Sequence, residues 1–261
     1  MKRVLTAAIL TPLIVATILI APGWMFTAVV TIVALLCFYE YSGIVEHHGI
    51  RAPGVFGYVA GLFVLLAPKV DVAVIVAVAV IALSLSLRLN DLADCLPWCG
   101  ALMLGVTYVF GCWRFAVELH VISSLWLLFA ISLNWVGDVA AYYVGRAFGR
   151  HRLAPLASPK KSWEGSIASV LASVGYAALY FRWIYPHSGV PYAMVLGIAA
   201  VANMAGQLGD LAESALKRGA GVKDSGNLLP GHGGWLDRVD SSLFALPTVY
   251  LLVCPFLGRT F

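Results

Sequence analysis

Three aspartates lie in or beside strongly apolar runs of this chain: Asp138 and Asp210 inside two of them, and Asp237 at the start of a third. An ionised carboxylate on a membrane-level helix costs several kcal/mol unless it meets a cation, a metal or water, so such residues are read first as functional groups. Their neighbours share their faces. Asp210, Glu213, Ser214 and Lys217 recur at intervals of three and four residues, and Asp237, Asp240 and Ser241 do the same at the start of the next run, which places each set along one side of a helix. Carboxylates from two helix ends can then converge. Oxygen-only ligands of this kind suit Mg²⁺, which takes one or two carboxylates plus substrate phosphates and keeps several waters.

Between the two sets run Lys217, Arg218, Lys223, Asp224 and His232, interspersed with Gly219, Gly221, Gly226, Gly231, Gly233 and Gly234. Glycines let backbone N–H groups approach an anion closely, and the cations supply countercharge, so a phosphate-rich ligand fits this loop. Neither G-x-x-x-x-G-K-[ST] nor G-x-G-x-x-G is present in it, which excludes a P-loop and a dinucleotide fingerprint. The second polar connection carries Arg146, Arg150, His151 and Arg152, then Ser158, Lys160, Lys161, Ser162 and Glu164. Ser162 followed by Glu164 also reads as a helix start, with the serine as N-cap and the acid in the first turn. Sixteen of the 30 Asp, Glu, Lys and Arg residues fall within 138–164 and 210–240. Positive-inside loops explain the basic members of that set but not the seven acidic ones.

The elements that must position these groups are membrane helices. Of 261 residues, 61% are hydrophobic and 11% charged, against about 45–50% and about 25% in soluble domains. Apolar segments run over 4–21, 24–44, 55–67, 70–87, 96–113, 120–144, 166–185, 190–216 and 239–257, giving an all-α polytopic protein of about nine transmembrane helices. The first is longer than a signal-peptide core of roughly 7–15 residues and is read as a retained span. The third, bounded by Pro53 and Pro68, is short enough to be re-entrant. With the N-terminus cytoplasmic, 13 Lys and Arg residues fall inside and four outside, as the positive-inside rule requires. This puts both polar connections on the cytoplasmic face and the C-terminus on the other. No linker or repeat divides the chain, so residues 1–261 are read as one membrane domain, with 1–133 an N-terminal helix array and 134–261 the catalytic part. A net charge of +4 without a sustained basic face excludes nucleic acid as partner. Five cysteines in mostly apolar settings indicate neither disulfides nor zinc.

Two motifs are recognisable as they stand. One is Ser214, Lys217, Arg218, Lys223, Asp224, Gly226, Pro230, His232, Gly233, Gly234, Asp237, Arg238 and Asp240; the other is Ser158-Pro159-Lys160-Lys161-Ser162-x-Glu164-Gly165. Together with Asp138, Ala141, Tyr142, Gly145 and Arg146 they resemble the phosphatidate cytidylyltransferase (CDP-diacylglycerol synthase) family over about residues 134–245. The one departure noted is Trp235, where a smaller apolar residue is expected. The resemblance implies the reaction CTP + phosphatidate → CDP-diacylglycerol + pyrophosphate at the cytoplasmic face of a bacterial inner membrane. It also implies a homodimer and a metal pair, Mg²⁺ with K⁺ as a second ion, at Asp210 and Asp237. Asp224 and Asp240 are then auxiliary, and Lys160, Lys161, Lys217, Arg218, Lys223 and Arg238 hold phosphates.

A transporter is the rival reading, since intramembrane carboxylates also mark ion pathways, but it predicts repeats and broken helices meeting at the midplane. An enzyme consuming a CDP-lipid predicts D-G-x-x-A-R, which is absent. The attacking phosphate monoester has a second pKa near 6 and is largely a dianion at neutral pH, so no strong general base is needed. His232 is therefore read as a hydrogen-bond donor to phosphate or as a loop anchor. His232→Gln, which keeps a donor, should retain substantially more activity than Asp237→Asn, with the acidic limb of the pH–rate profile unchanged. Equal loss in both folded variants, or loss of that limb, would restore a proton-transfer role.

Overall fold

The computed structural model describes residues 2–228 and 233–258, with side chains described from Thr11 onward. Each apolar run becomes helical: α1 Lys2–Ile20, α2 Gly23–His47, α3 Gly54–Leu66, α4 Val72–Ser86, α5 Cys95–Gly105, α6 Cys112–Ile122, α7 Ser124–Phe148, α8 Trp163–Leu179, α9 Tyr192–Gly219 and α10 Leu236–Val253. A π-helical segment, Val106–Gly111, joins α5 to α6, and a 3₁₀ turn precedes α5, so Leu92–Ile122 is one helical stretch of 31 residues. The sequence places a break between residues 113 and 120. The break comes instead at Ser123, which is extended and accepts a hydrogen bond from Leu125 N–H at 3.2 Å as the N-cap of α7.

The protein is an all-α integral membrane protein. Among the described residues six helices are long and apolar enough to cross a bilayer: Gly23–His47, Leu92–Ile122, Ser124–Phe148, Trp163–Ile184, Tyr192–Gly219 and Leu236–Leu257. The apolar helices α3 and α4, of 13 and 15 residues, reach only about 20 and 22 Å at 1.5 Å per residue, short of a hydrocarbon core of about 30 Å. Because they are consecutive, dropping both from the span count leaves the sidedness of everything after them unchanged.

Two compact units interleave along the chain, each built from segments on both sides of residue 133. One holds α1, α7, α8, α9 up to Ala215 and α10 from Val239; the other holds α2 to α6 up to Val117, with Leu216–Arg238. In the first, α7 packs along α8. The hydrophobic effect does not drive helix association in lipid, so close approach of small residues and hydrogen bonds must do so. Gly165 shows the requirement: a Cβ there would stand 2.9 Å from the Ala141 carbonyl oxygen and 3.3 Å from Gly145 Cα. Farther along, Trp126, Phe129, Tyr180 and Phe181 interlock, with ring centroids 4.8 Å apart for Trp126–Phe181 and Phe129–Phe181.

The connection between α7 and α8 is an antiparallel hairpin, β1 Arg152–Ala154 with β2 Ser158–Ser162, pairing Arg152 with Ser162 and Ala154 with Ser158. It is fastened to α8 at two points. Ser162 caps the helix by accepting from Gly165 N–H at 3.2 Å, as the sequence predicts, and Glu164 meets the His151 imidazole Nδ1 at 2.7 Å. Capping serines of this kind contribute about 1 kcal/mol.

In the second unit Phe38 meets Tyr58 edge-on at 4.8 Å and Phe110 at 5.1 Å, and the buried Tyr41 hydroxyl donates to the Ala101 carbonyl at 2.8 Å. Arg114 of α6 reaches the end of α3. Its guanidinium donates to the carbonyls of Val64 at 3.1 Å, Ala67 at 2.6 Å and Pro68 at 3.3 Å, serving acceptors that the end of a helix leaves without intrahelical partners.

The charge distribution predicts sidedness. Leu156, at the hairpin tip and 94% exposed, and His187, exposed between α8 and α9, should lie on opposite sides of the membrane. With the native cysteines replaced, Leu156→Cys should react with an impermeant maleimide only from the cytoplasm and His187→Cys only from the other side. Labelling of both from one side would overturn the orientation.

Candidate active site

The first unit contains a pocket of about 630 Å³ bounded by α7, the hairpin, α8, α9 and the start of α10. Its polar lining changes in character with depth. Arg146, Arg152 and Lys160 are exposed at one end, whereas Asn134, Ser169 and Asn203 are buried at the other, at 2%, 1% and 2% exposure. Between them stand Asp138 on α7 and Asp210 on α9, and Lys161 pairs with Asp210 through its ammonium. Asn134, Asp138, Tyr142 and Arg146 recur at four-residue intervals on α7, which is why one helix face presents all four. Arg146 donates to the Tyr142 hydroxyl at 3.1 Å, and Ser214 reaches the other oxygen of Asp210 at 3.4 Å.

Below the aspartates, amides and hydroxyls run head to tail. The Ser166 hydroxyl donates to Gln207 Oε1, Gln207 Nε2 donates to Asn203 Oδ1 at 2.7 Å, and Asn203 Nδ2 donates to Ser169 Oγ at 3.1 Å. Each link satisfies a polar group that lipid would leave unpaired.

The second unit holds the other half of the sequence motif. Asp237, in the first turn of α10, pairs with the Lys217 ammonium of α9 and accepts from the N–H groups of Gly234 at 2.8 Å and Ser225 at 3.0 Å. Lys217 is 8% exposed. Gly233 has φ +78°, a left-handed conformation that glycine adopts without strain. Glu40 of α2, 2% exposed, accepts from the Ser225 hydroxyl at 2.9 Å and from the N–H groups of Trp235 at 3.0 Å and Leu236 at 2.8 Å. A single carboxylate thus closes the loop from Ser225 to Leu236. Trp235 enters this contact through its backbone, so its departure from the expected residue type leaves the contact intact.

Of the residues predicted from sequence, Asp138, Tyr142, Arg146, Lys160, Lys161, Ser162 and Asp210 line the pocket. Ser158 and Glu164 do not; they belong to the hairpin and its attachment to α8. Asp240 lies within α10 and accepts from Ser241 N–H at 2.6 Å. Lys217, Gly233, Gly234 and Asp237 gather in the second unit, where Arg218, Lys223, Asp224 and Arg238 are exposed. His232 lies outside the described residues. Sequence reasoning missed Glu40, whose signal is a lone acid within a long apolar run, and the amides of Asn134 and Asn203, both buried, and of Gln207, half-buried, on apolar helices. No group of three or more His, Cys, Asp and Glu side chains able to hold a metal occurs among the described residues.

Residues 1–256 match the profile of the cytidylyltransferase family. A phosphatidate cytidylyltransferase of Staphylococcus aureus strain COL is 33% identical over 267 aligned positions, covering 96% of this chain and 98% of the relative. One from Bacillus subtilis strain 168 is 38% identical over 160 positions, 60% of this chain and 59% of the relative. One from Staphylococcus epidermidis strain RP62A is 39% identical over 151 positions, 58% and 57% respectively.

Glu40 generates a prediction. Removing a buried acceptor strands its donors at about 1–3 kcal/mol each, so Glu40→Leu should lower the melting temperature in detergent and reduce turnover at least tenfold. Glu40→Gln, which keeps one acceptor, should fall between. Unchanged melting and turnover in Glu40→Leu would show that the loop does not depend on this carboxylate.

Proposed function

The chain belongs to the cytidylyltransferase family, and on that footing we propose that the polar pocket of the α7–α8–α9 unit is its active site and that the Lys217–Asp237 loop of the other unit carries phosphate- and metal-binding groups of its own. The enzyme makes CDP-diacylglycerol and pyrophosphate from CTP and phosphatidate. The observation that carries the site assignment is the joint lining of one pocket by Asp138, Asp210, Arg146, Arg152, Lys160 and Lys161. Two acids among four cations suit a reaction between two polyanions in the presence of a metal.

A phosphatidate phosphate oxygen attacks the α-phosphorus of CTP, a new P–O bond forms, and the bond to the β-phosphate oxygen breaks to release pyrophosphate. The nucleophile is already largely a dianion at neutral pH. The protein's task is therefore to hold two negative groups in line and to stabilise the departing charge. Arg146, Arg152 and Lys160 are exposed to receive phosphates. Lys161 and Lys217 each hold a carboxylate in the structure and can transfer donors to phosphate oxygens when substrate is present. Mg²⁺, with K⁺ as a second ion, is proposed at Asp210 and Asp237; bound there it would neutralise phosphate oxygens and the leaving pyrophosphate. A homodimer in a bacterial inner membrane, with the pocket facing the cytoplasm, completes the proposal. The family resemblance supports the dimer, and the distribution of Lys and Arg supports the sidedness.

Asp210→Asn and Asp237→Asn should each reduce formation of labelled lipid from labelled CTP and phosphatidate by on the order of 100-fold or more, in protein that still purifies as a folded species. EDTA should abolish turnover of the unaltered enzyme and added Mg²⁺ restore it. Full activity in either variant, or in EDTA, would place the site or the metal elsewhere.

A further inference from the structure

The deep end of the pocket differs from its mouth in having no charge. Asn134, Ser169, Asn203, Gly206 and Ser241 line it, and the hydroxyl–amide chain through Ser166, Gln207, Asn203 and Ser169 uses its donors and acceptors internally. Asn134 stands apart from that chain. It is 2% exposed, it lines the pocket, and among the described residues neither its Nδ2 nor its Oδ1 has a hydrogen-bond partner. A buried amide left open on both atoms costs about 1–3 kcal/mol per unsatisfied group, a cost that a ligand offering both a donor and an acceptor removes.

We propose that Asn134 is a substrate-binding residue for the nucleoside half of CTP, its amide pairing with a neutral group of the nucleoside at the uncharged end of the pocket. The proposal rests on the reading of this pocket as the CTP site. Three observations choose the nucleoside over the other parts of the substrates. The phosphates need cations, and those lie at the other end of the pocket, with Arg146 twelve residues along α7 from Asn134, about 18 Å at 1.5 Å per residue. Such a separation suits an extended nucleoside triphosphate whose α-phosphate lies near Asp138 and Asp210. The ester carbonyls of phosphatidate only accept, so they would satisfy Nδ2 and leave Oδ1 stranded. The cytosine edge and the ribose hydroxyls each present a donor beside an acceptor, which matches both atoms of an amide.

The test uses the purified full-length enzyme in lipid nanodiscs, with CTP or dCTP as nucleotide and dioleoyl phosphatidate as acceptor. Asn134→Leu keeps approximate volume and removes both polar atoms. It should raise KM for CTP roughly tenfold or more, while KM for phosphatidate and the inhibition constant for pyrophosphate stay within about twofold. Gly206→Ala is a second route to the same group, because a Cβ at Gly206 would stand 2.4 Å from Asn134 Oδ1 and must displace the amide; it should shift the same parameter in the same direction. dCTP lacks one candidate partner: it should be indifferent to the loss of Asn134 if the ribose 2′-hydroxyl pairs with the amide, and as sensitive as CTP if the cytosine edge does.

An unchanged KM for CTP in folded Asn134→Leu would overturn the assignment, as would a rise in KM for phosphatidate or an equal weakening of pyrophosphate. Asp210→Asn measured alongside separates the two levels. If it turns over normally, the pocket is not the active site; if it is inactive while Asn134→Leu retains its CTP affinity, only the nucleoside assignment fails.

Discussion

A carboxylate on an apolar helix cannot be left to lipid, and this constraint organises the contacts within each unit. Glu40, Asp210 and Asp237 each stand on a helix long and apolar enough to cross the membrane, and each is held by donors supplied from elsewhere in the chain. The partners of Glu40 lie 185 to 196 residues away. Lys217 and Asp237 form a buried ion pair, and removing one member of such a pair costs far more than the pair's own net contribution, because the remaining charge is left uncompensated. Each pair therefore fixes a fold contact as well as a chemical group: Lys161 ties the hairpin to α9, Lys217 ties α9 to α10, and Glu40 ties α2 to the glycine-rich loop.

The same groups suit phosphoryl chemistry because their partners are exchangeable. A lysine that neutralises an aspartate in the structure is a flexible, strongly charged donor that can turn to a phosphate. A backbone N–H aimed at Asp237 is fixed. The loop thus combines a movable cation with immobile amides, and the immobile part sets the position of the carboxylate. In the pocket the division runs along α7, where four-residue spacing carries the lining from a buried amide through an aspartate and a tyrosine to an exposed arginine. A substrate with a neutral end and a polyanionic end has a single favourable orientation in such a gradient.

Charge made the site legible in the sequence. An acid within an apolar run is rare enough to be read directly, and the spacing of Asp210, Ser214 and Lys217 followed from helical periodicity, as did the role of Ser162 as a cap. Glu40 carries the same signal, but its partners begin 185 positions later, and nothing local in its sequence points to the loop it holds. The amides are harder still, because Asn134, Asn203 and Gln207 in apolar segments become informative only when their surroundings are known. The hairpin between α7 and α8 was hidden for a different reason. Its strands are three and five residues long and rich in Arg, Lys, Ser and Pro, so they show no strand periodicity, and they are set by attachment to α8 rather than by a hydrophobic face.

Backbone groups obey the same constraint as the carboxylates. In lipid each N–H and C=O must find a partner inside the protein, and a helix as short as α3, standing across the bilayer, leaves at least one end within the hydrocarbon. The carbonyls at its C-terminal end accept from the Arg114 guanidinium, whose planar fork can serve several acceptors at once. One of its nitrogens serves Val64 and Ala67 and the other serves Pro68. In the nine-helix reading Arg114 follows the run 96–113 and falls among the four cations outside the cytoplasm. Its contacts give it a second role, satisfying carbonyls at the end of a helix too short to reach across the hydrocarbon.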